Sequence, residues 1–320
     1  MRDPVSRFLL RRLAQSAVLL WLVSMIGFGM LHLVPGGPLS QFANTPGMTD
    51  ADLQRLATQM GLDRPIPMQY LDWAGGLLVG DWGKSYRDDS PVLRVIASRL
   101  GATVRLMLTA TLIAVVVGGL VGIIGAVRRY SLFDQCVTIG TMVALSIPTF
   151  WFGLLVIYVF SVKLRWLPPG NIAPVGNESF LVFVHHLIGP ALVLGLVTTA
   201  LWSRFMRSSM LDVINQDYVR TARAKGLPPH AVLIHHVLRN ALLPMITIAG
   251  LELPTLLGGA LVTETVFTWP GMGRLFLDSI EYRDYPVVMG LLLFSAVLVI
   301  VGSLLADILH TVADPRVRPQ

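Results

Sequence analysis

Charge is almost absent from long stretches of this chain, and that absence restricts the fold more than any other feature. Residues 13–49, 106–127, 135–162, 179–203, 240–251, 253–263 and 285–306 hold no Asp, Glu, Lys or Arg. A helix needs roughly 20 apolar residues to cross about 30 Å of hydrocarbon, so these runs predict membrane spans rather than core helices. The composition agrees, at 54% hydrophobic and 14% charged residues. The expected fold is an all-α polytopic membrane protein with six transmembrane helices. They are placed at 13–34 and, within a core domain at 101–309, at 104–127, 135–162, 187–208, 240–263 and 286–309, with Glu252 interrupting the fifth. An even count puts the segments 1–12 and 310–320 on one side. The first run is longer than the roughly 7–15 residues of a signal h-region and no small-x-small site follows, so it reads as a retained span.

Orientation follows from Lys and Arg in the short loops and tails. With both termini cytoplasmic, the inner segments hold fourteen basic residues, among them Arg128, Arg129, Arg204, Arg207 and Arg239, against five acidic ones, Asp134 included. The outer segments hold eleven basic against twelve acidic residues. The net charge of +6 is therefore a product of topology, and without a basic patch on a soluble fold no nucleic-acid partner is expected. Cys136 is the sole cysteine, which excludes an intrachain disulfide and a Cys-based metal site. The pairs His185-His186 and His235-His236 lack further ligands at metal spacing. No catalytic, cofactor-binding or metal residue is predicted.

The segment 35–100 reads as a small extracytoplasmic subdomain. In "TDADLQRLATQMG", Thr49 and Asp52 form a capping-box pattern, Leu53, Leu56, Ala57 and Met60 share a face, and Gly61 stops the helix. Tyr70, Trp73, Trp82 and Tyr86 then surround a short apolar centre suited to the membrane interface. Ser90 and Pro91 introduce the second span, whose Gly118, Gly119, Gly122 and Gly125 read as helix-packing positions.

Between the fourth and fifth spans lies "YVRTARAKGLPPHAVLIHHVLRNALLP", Tyr218 to Pro244, with four Arg/Lys and no acidic residue. Ile214, Tyr218, Thr221 and Ala222 recur at helical spacing with Arg220 and Arg223 opposite. Gly226 ends that helix, Pro228-Pro229 force a turn, and a second helix begins near His230. Three readings fit the residues: a solvated positive-inside loop, a site for membrane lipid headgroups, and a docking element for a cytoplasmic partner.

"YVRTARAKGL" followed by "HVLRNALLP" resembles the cytoplasmic EAA loop of permease subunits of bacterial binding-protein-dependent ABC importers, in its dipeptide/oligopeptide/nickel form. The resemblance extends over "VPGGP", "GLDRPIPMQY", "GDWGKS", "SIPTFWFGLL", "ETVFTWPGMGRL", "RDYPVV" and "ADPRVR". It departs from the general pattern where Arg220-Thr221-Ala222 stand in place of Glu-Ala-Ala, so a glutamate contact is not carried over. The resemblance implies an EAA coupling loop at 211–239, with a coupling helix at Asn215 to Lys225 seated on an ATPase. Its coupling residues are Tyr218, Arg220, Thr221, Ala222, Arg223, Lys225, Gly226, Arg239 and Asn240. It further implies a bacterial or archaeal plasma (inner) membrane location, a second homologous permease, two ATP-binding subunits carrying ATP and Mg, and an extracytoplasmic substrate-binding protein.

The chain has no "GxxxxGK[ST]" phosphate loop, so it is not expected to be an enzyme itself. The implied substrates are di- or oligopeptides, with nickel complexes or glutathione as alternatives on the same machinery. Glu252, deep in the fifth span beside Pro254, is either protonated or paired within the bundle, or lines the pathway. Glu264, Trp269, Pro270, Gly271 and Asp284 fall in the segment the resemblance makes an outer gate, with Trp269 expected at the interface and Pro270-Gly271 at the bend. An ion-coupled secondary transporter would show repeats and several intramembrane charges; an intramembrane protease would show "GxSG" or paired aspartates. Neither pattern occurs.

Overall fold

The computed structural model describes residues 4–39, 48–173, 179–258 and 260–313, and among these every regular element is a helix. Helix α1 spans Pro4–His32, α2 Asp50–Gln59, α3 Ile66–Leu78, and α4 Val92–Val127 with a π-type turn at Ala114–Gly118. Next come α5 at Leu132–Ser146, α6 at Thr149–Lys163, α7 at Phe180–Ile214 and α8 at Asp217–Ala224. The remainder is α9 at Arg239–Gly258, α10 at Leu261–Val266, α11 at Met272–Glu281 and α12 at Tyr285–Ala313.

Among the described residues, four helices are long and apolar enough to cross a membrane: Arg11–His32 in α1, α4, α7 and Tyr285–Ala306 in α12. Helices α5 and α6 make a fifth if counted as one broken span. They occupy the single span expected at 135–162 but meet at 102°. Proline disfavours helical geometry in the residue before it, and Ile147, ahead of Pro148, is extended at φ −84°, ψ 125°. The span expected at 240–263 is also in two pieces. Ala260, at φ −105° and ψ 66°, separates α9 from α10.

The chain forms two compact units. Among the described residues, the first comprises those up to Gly101 and Gly271–Ile300. Its core gathers Val92 and Ile96 of α4, Met272 of α11, and Val287 and Leu291 of α12. Tyr70 of α3 reaches α1, where its hydroxyl lies 2.8 Å from the Ser24 hydroxyl and its ring packs on Phe28. Thr49 and Asp52 cap α2 reciprocally, and Gly61 ends it at φ +68°. The faces of Leu53, Leu56, Ala57 and Met60 are half-buried, as the spacing implies.

The second unit, Ala102–Pro270 with Val301–Arg318, is a bundle centred on α7. Its close approach to α4 depends on missing side chains. A Cβ on Gly118 would lie 2.8 Å from Cβ of Trp202, and one on Gly122 would lie 2.7 Å from both Cβ of Met206 and the Ser203 carbonyl. Gly125 stands in the same row, 3.3 Å from the Asp134 carboxylate. Gly119 departs from the packing role expected of it, since a Cβ there meets nothing within 4 Å. Its neighbours face α7 and it does not, because a helix turns about 100° per residue.

Candidate functional site

The basic segment after α7 is a compact two-helix element built on the second unit's core. Helix α7 continues to Ile214, beyond the span expected at 187–208, and two residues then break the chain: Asn215 closes α7, and Gln216 is extended at φ −70°, ψ 150°. Helix α8 begins with Asp217 in its first turn and carries Arg223 in its last, both signs suiting the helix dipole. It ends in a Schellman motif. The Gly226 N–H donates to the Arg223 carbonyl at 2.9 Å and the Leu227 N–H to Ala222 at 3.4 Å, with Gly226 at φ +79°. Pro228 and Pro229 then redirect the chain.

The buried face of α8 differs from the sequence expectation. Ala222 points inward as expected, at 4% exposure, but Val219 joins it at 0%, while Tyr218 and Thr221 are exposed. Extending one helical phase from Leu211 through Gly226 misassigned the face, because the break at Asn215-Gln216 resets it. Taken alone, residues 217–224 place Val219 and Ala222 three apart on one side. They join Met206 and Met210 of α7, Val232 and Val237 of the returning segment, and Ala241 and Met245 of α9 in one apolar cluster.

The return runs through one turn at Pro229–Ala231 and a π segment at Val232–Leu238. In an α-helix, positions five apart face different ways. The wider i→i+5 winding brings Val232 and Val237 to the same core. With the apolar side thus occupied, α8 displays Arg220, Thr221, Arg223 and Lys225, and Gly226 follows, all exposed. The Arg220–Asp217 contact is 3.6 Å between two exposed groups, so it leaves the guanidinium available to another partner. Beside α8 is a cleft of about 380 Å³ with Ile214, Val232 and Val237 in its floor and Arg223 and His230 in its wall. Arg239 and Asn240 are exposed at the start of α9, the Asn240 amide donating to the His236 carbonyl at 2.8 Å.

The pathway candidates belong to separate hydrogen-bond networks. Glu252 is half-buried and accepts a 2.9 Å bond from the indole N–H of Trp202, so it has a partner within the bundle. The side chain of Pro254 lies outside the described residues. Glu264 is fully buried and accepts from the Thr103 hydroxyl at 2.7 Å. Trp269, expected at the interface, is fully buried, and its indole N–H donates to the Ala102 carbonyl at 3.0 Å. The chain bends at Gly271 as expected, and it also turns just before, at Phe267-Thr268: Thr268, at φ +47°, takes the left-handed position of a Schellman motif, with the Trp269 N–H on the Glu264 carbonyl at 2.7 Å. Pro270 is half-buried, and Gly271 is extended ahead of α11.

Asp284 is buried in the first unit, where it accepts the Ser85 hydroxyl at 2.5 Å and the Tyr86 N–H at 3.0 Å. Burial, with the negative charge of Asp284 and the neighbouring Tyr285 adding to it, pushes the Tyr86 phenol up to about 12.

One pair escaped the sequence reading. Asp134 and Arg207, 73 residues apart, form a bidentate ion pair at 2.6 and 2.8 Å. In sequence Asp134 looks like a first-turn acid and Arg207 like one more positive-inside residue. No local signal joins them.

The comparisons with known proteins extend over nearly the whole chain. The family described as "Binding-protein-dependent transport system inner membrane component" matches residues 118–319, and its N-terminal counterpart matches residues 5–107. The oligopeptide transport system permease protein AppB of Bacillus subtilis is 44% identical over 98% of this chain and 99% of its own length. The di/tripeptide permease DppB of Pseudomonas aeruginosa is 41% identical, and the dipeptide permease DppB of Escherichia coli 38%, each over 98% of this chain and 98% or more of its own. The inward-facing methionine ABC transporter MetNI superposes with a TM-score of 0.56 over 70% of this chain and 98% of its own, at 17% identity, which shows a shared fold. A multi-pass helical chain matched end to end in this way belongs to the inner-membrane components of binding-protein-dependent transport systems.

Proposed function

We propose that this chain is one of two permease subunits of an ABC importer and forms the translocation pathway for di- and oligopeptides. ATP, with Mg, is hydrolysed on two partner subunits, and an extracytoplasmic binding protein delivers the substrate. The observation that carries the reading is α8: a helix pinned by Val219 and Ala222 to the bundle core while its basic face stays open. An element so built transmits displacement, since its backbone bonds are internal and its apolar face cannot slide without exposing itself. End-to-end identity with named peptide permeases supports the substrate class.

In this reading the chain crosses the membrane six times, with α5–α6 as one broken span and α9–α10 as another. Both termini and α8 are cytoplasmic, as the Lys/Arg bias supports. Tyr218, Arg220, Thr221, Arg223 and Lys225 meet the ATPase; Ala222 and Gly226 shape the helix, and Arg239 and Asn240 begin the span that answers it. Rocking of the bundle between inward-open and outward-open states follows from closure of the ATPases.

Liposome reconstitution tests this. Labelled dialanine should accumulate only when the second permease, both ATPases, the binding protein and ATP are present. Uptake by this chain alone would sink the proposal. Reversing Arg220 and Arg223 to Glu should leave the chain inserted and the ATPases active while abolishing ATP-driven uptake.

A further inference from the structure

We infer that the Asp134–Arg207 ion pair is a positioning clamp that passes motion of α8 to the broken helix pair α5–α6. The inference rests on the importer reading and adds a transmission element to it.

Three elements converge on the pair. Arg207 lies on α7 and reaches Asp134 near the start of α5 through both Nε, at 2.6 Å, and Nη2, at 2.8 Å. The Asp134 carboxylate also accepts the Tyr130 N–H at 2.9 Å, which fixes the loop from α4, where Tyr130 sits at φ +63°. Gly125 of α4 leaves the space the pair occupies: a Cβ there would stand 3.3 Å from Oδ1 of Asp134 and 3.7 Å from Cδ of Arg207. Asp134 is 3% exposed and the Arg207 side chain 29%, so the contact is screened less than a pair between two exposed groups. The planar fork of Arg sets direction as well as distance.

The neighbours of Arg207 on α7 explain what the clamp transmits. Met206 and Met210 pack in the cluster that holds Val219 and Ala222 of α8. The Ser209 hydroxyl donates to the Ala241 carbonyl of α9 at 2.7 Å. One turn of α7 is thus joined to α8 through methionine side chains, to α9 through a serine, and to α5 through the ion pair. Packed α4 and α7 contribute closeness, but hydrophobic burial is non-directional and does not itself orient α5 on α7. The bidentate pair fixes register between α7 and α5, and α5 leads into the 102° break at Ile147–Pro148. Displacement of α8 therefore reaches the break as movement of α5 rather than being lost as bending of α7.

Loss of one partner would strand a buried charge, so the test removes both. The complete complex, in liposomes with its binding protein and labelled dialanine, is compared as parent, Asp134→Asn/Arg207→Gln and Arg207→Lys. The parent must first show ATP-dependent uptake; failure there counts against the importer reading itself. The double variant should assemble and hydrolyse ATP, with peptide taken up per ATP falling about fivefold or more. Arg207→Lys keeps the charge without the fork and should fall between the two. A merely structural role predicts uptake and hydrolysis declining together at a constant ratio, and that result, or a ratio unchanged in the double variant, would overturn the inference. Should the double variant fail to assemble, the ratio in Arg207→Lys decides by the same criterion.

Discussion

Helices α2 and α3 together run to twenty-three residues and fully bury none of them, whereas α8, with eight residues, buries two. All three lie outside the long apolar spans, and all three end at a glycine in the left-handed region, Gly61, Gly80 and Gly226. The difference is in how each is held. Helix α2 relies on its own reciprocal cap and a half-buried stripe, while α8 has no side-chain cap and relies on Val219 and Ala222 inside a core shared with α7 and α9. A helix held by its own caps can shift on its support at little cost. A helix held by inserted side chains moves its support with it.

The largest test of that contrast is Val219→Asp, which places a carboxylate in the α7–α8–α9 cluster. Burying an unpaired charge should cost about 3 kcal/mol or more. Thermal unfolding in detergent should show it, and the matched change Leu53→Asp on the half-buried face of α2 should cost much less. Equal losses would erase the contrast. Val219→Ala removes two methyl groups from the same site and should cost about 2 kcal/mol with α8 still formed, measured by amide exchange across 217–224.

Alkaline titration probes the other region. The Tyr86 phenol is pushed up to about 12, so it keeps its proton while an unfolded tyrosine near 10 loses it. Stability linked to this group is intact below pH 10 and is lost as the pH rises towards 12. At pH 11 the loss is about 1.4 kcal/mol. Tyr86→Phe should remove that part of the alkaline decline, and an unchanged decline would show that burial does not govern this hydroxyl. Two smaller effects of about 1 kcal/mol complete the comparison. Gly226→Ala puts a Cβ at φ +79° and should fray the end of α8. Thr49→Ala removes the α2 cap and should raise amide exchange in 50–59 alone.

Local rules account for what could be read without coordinates. The charge-free runs located the long helices, because transfer of charge into hydrocarbon is costly whatever the neighbours are. Thr49 with Asp52, Gly61 and Gly226 marked helix ends, because a cap involves only residues within a few positions of one another. The same reasoning missed Thr268 and Arg283, which take the left-handed position at φ +47° and +54° without being glycine. Nothing in their side chains announces it. The surrounding packing imposes it: Trp269, just after Thr268, is fully buried against Ala102, and the Arg283 guanidinium donates to the Pro35 carbonyl at 2.6 Å.

What the sequence determined by itself was the helical membrane fold, the division into apolar and basic segments, and a two-helix element divided at Gly226-Leu227-Pro228-Pro229. Tertiary structure decided which face of α8 is buried, that the stretch at 135–162 breaks at Ile147–Pro148 by 102°, and that Asp134 finds Arg207 across 73 residues. The physical reason is range. Periodicity, capping and hydrophobic transfer act over a turn or over one segment, and so are written in consecutive residues. Pairing across a bundle depends on how closely α4 and α7 approach, and that distance is set only when Gly118, Gly122 and Gly125 meet their partners.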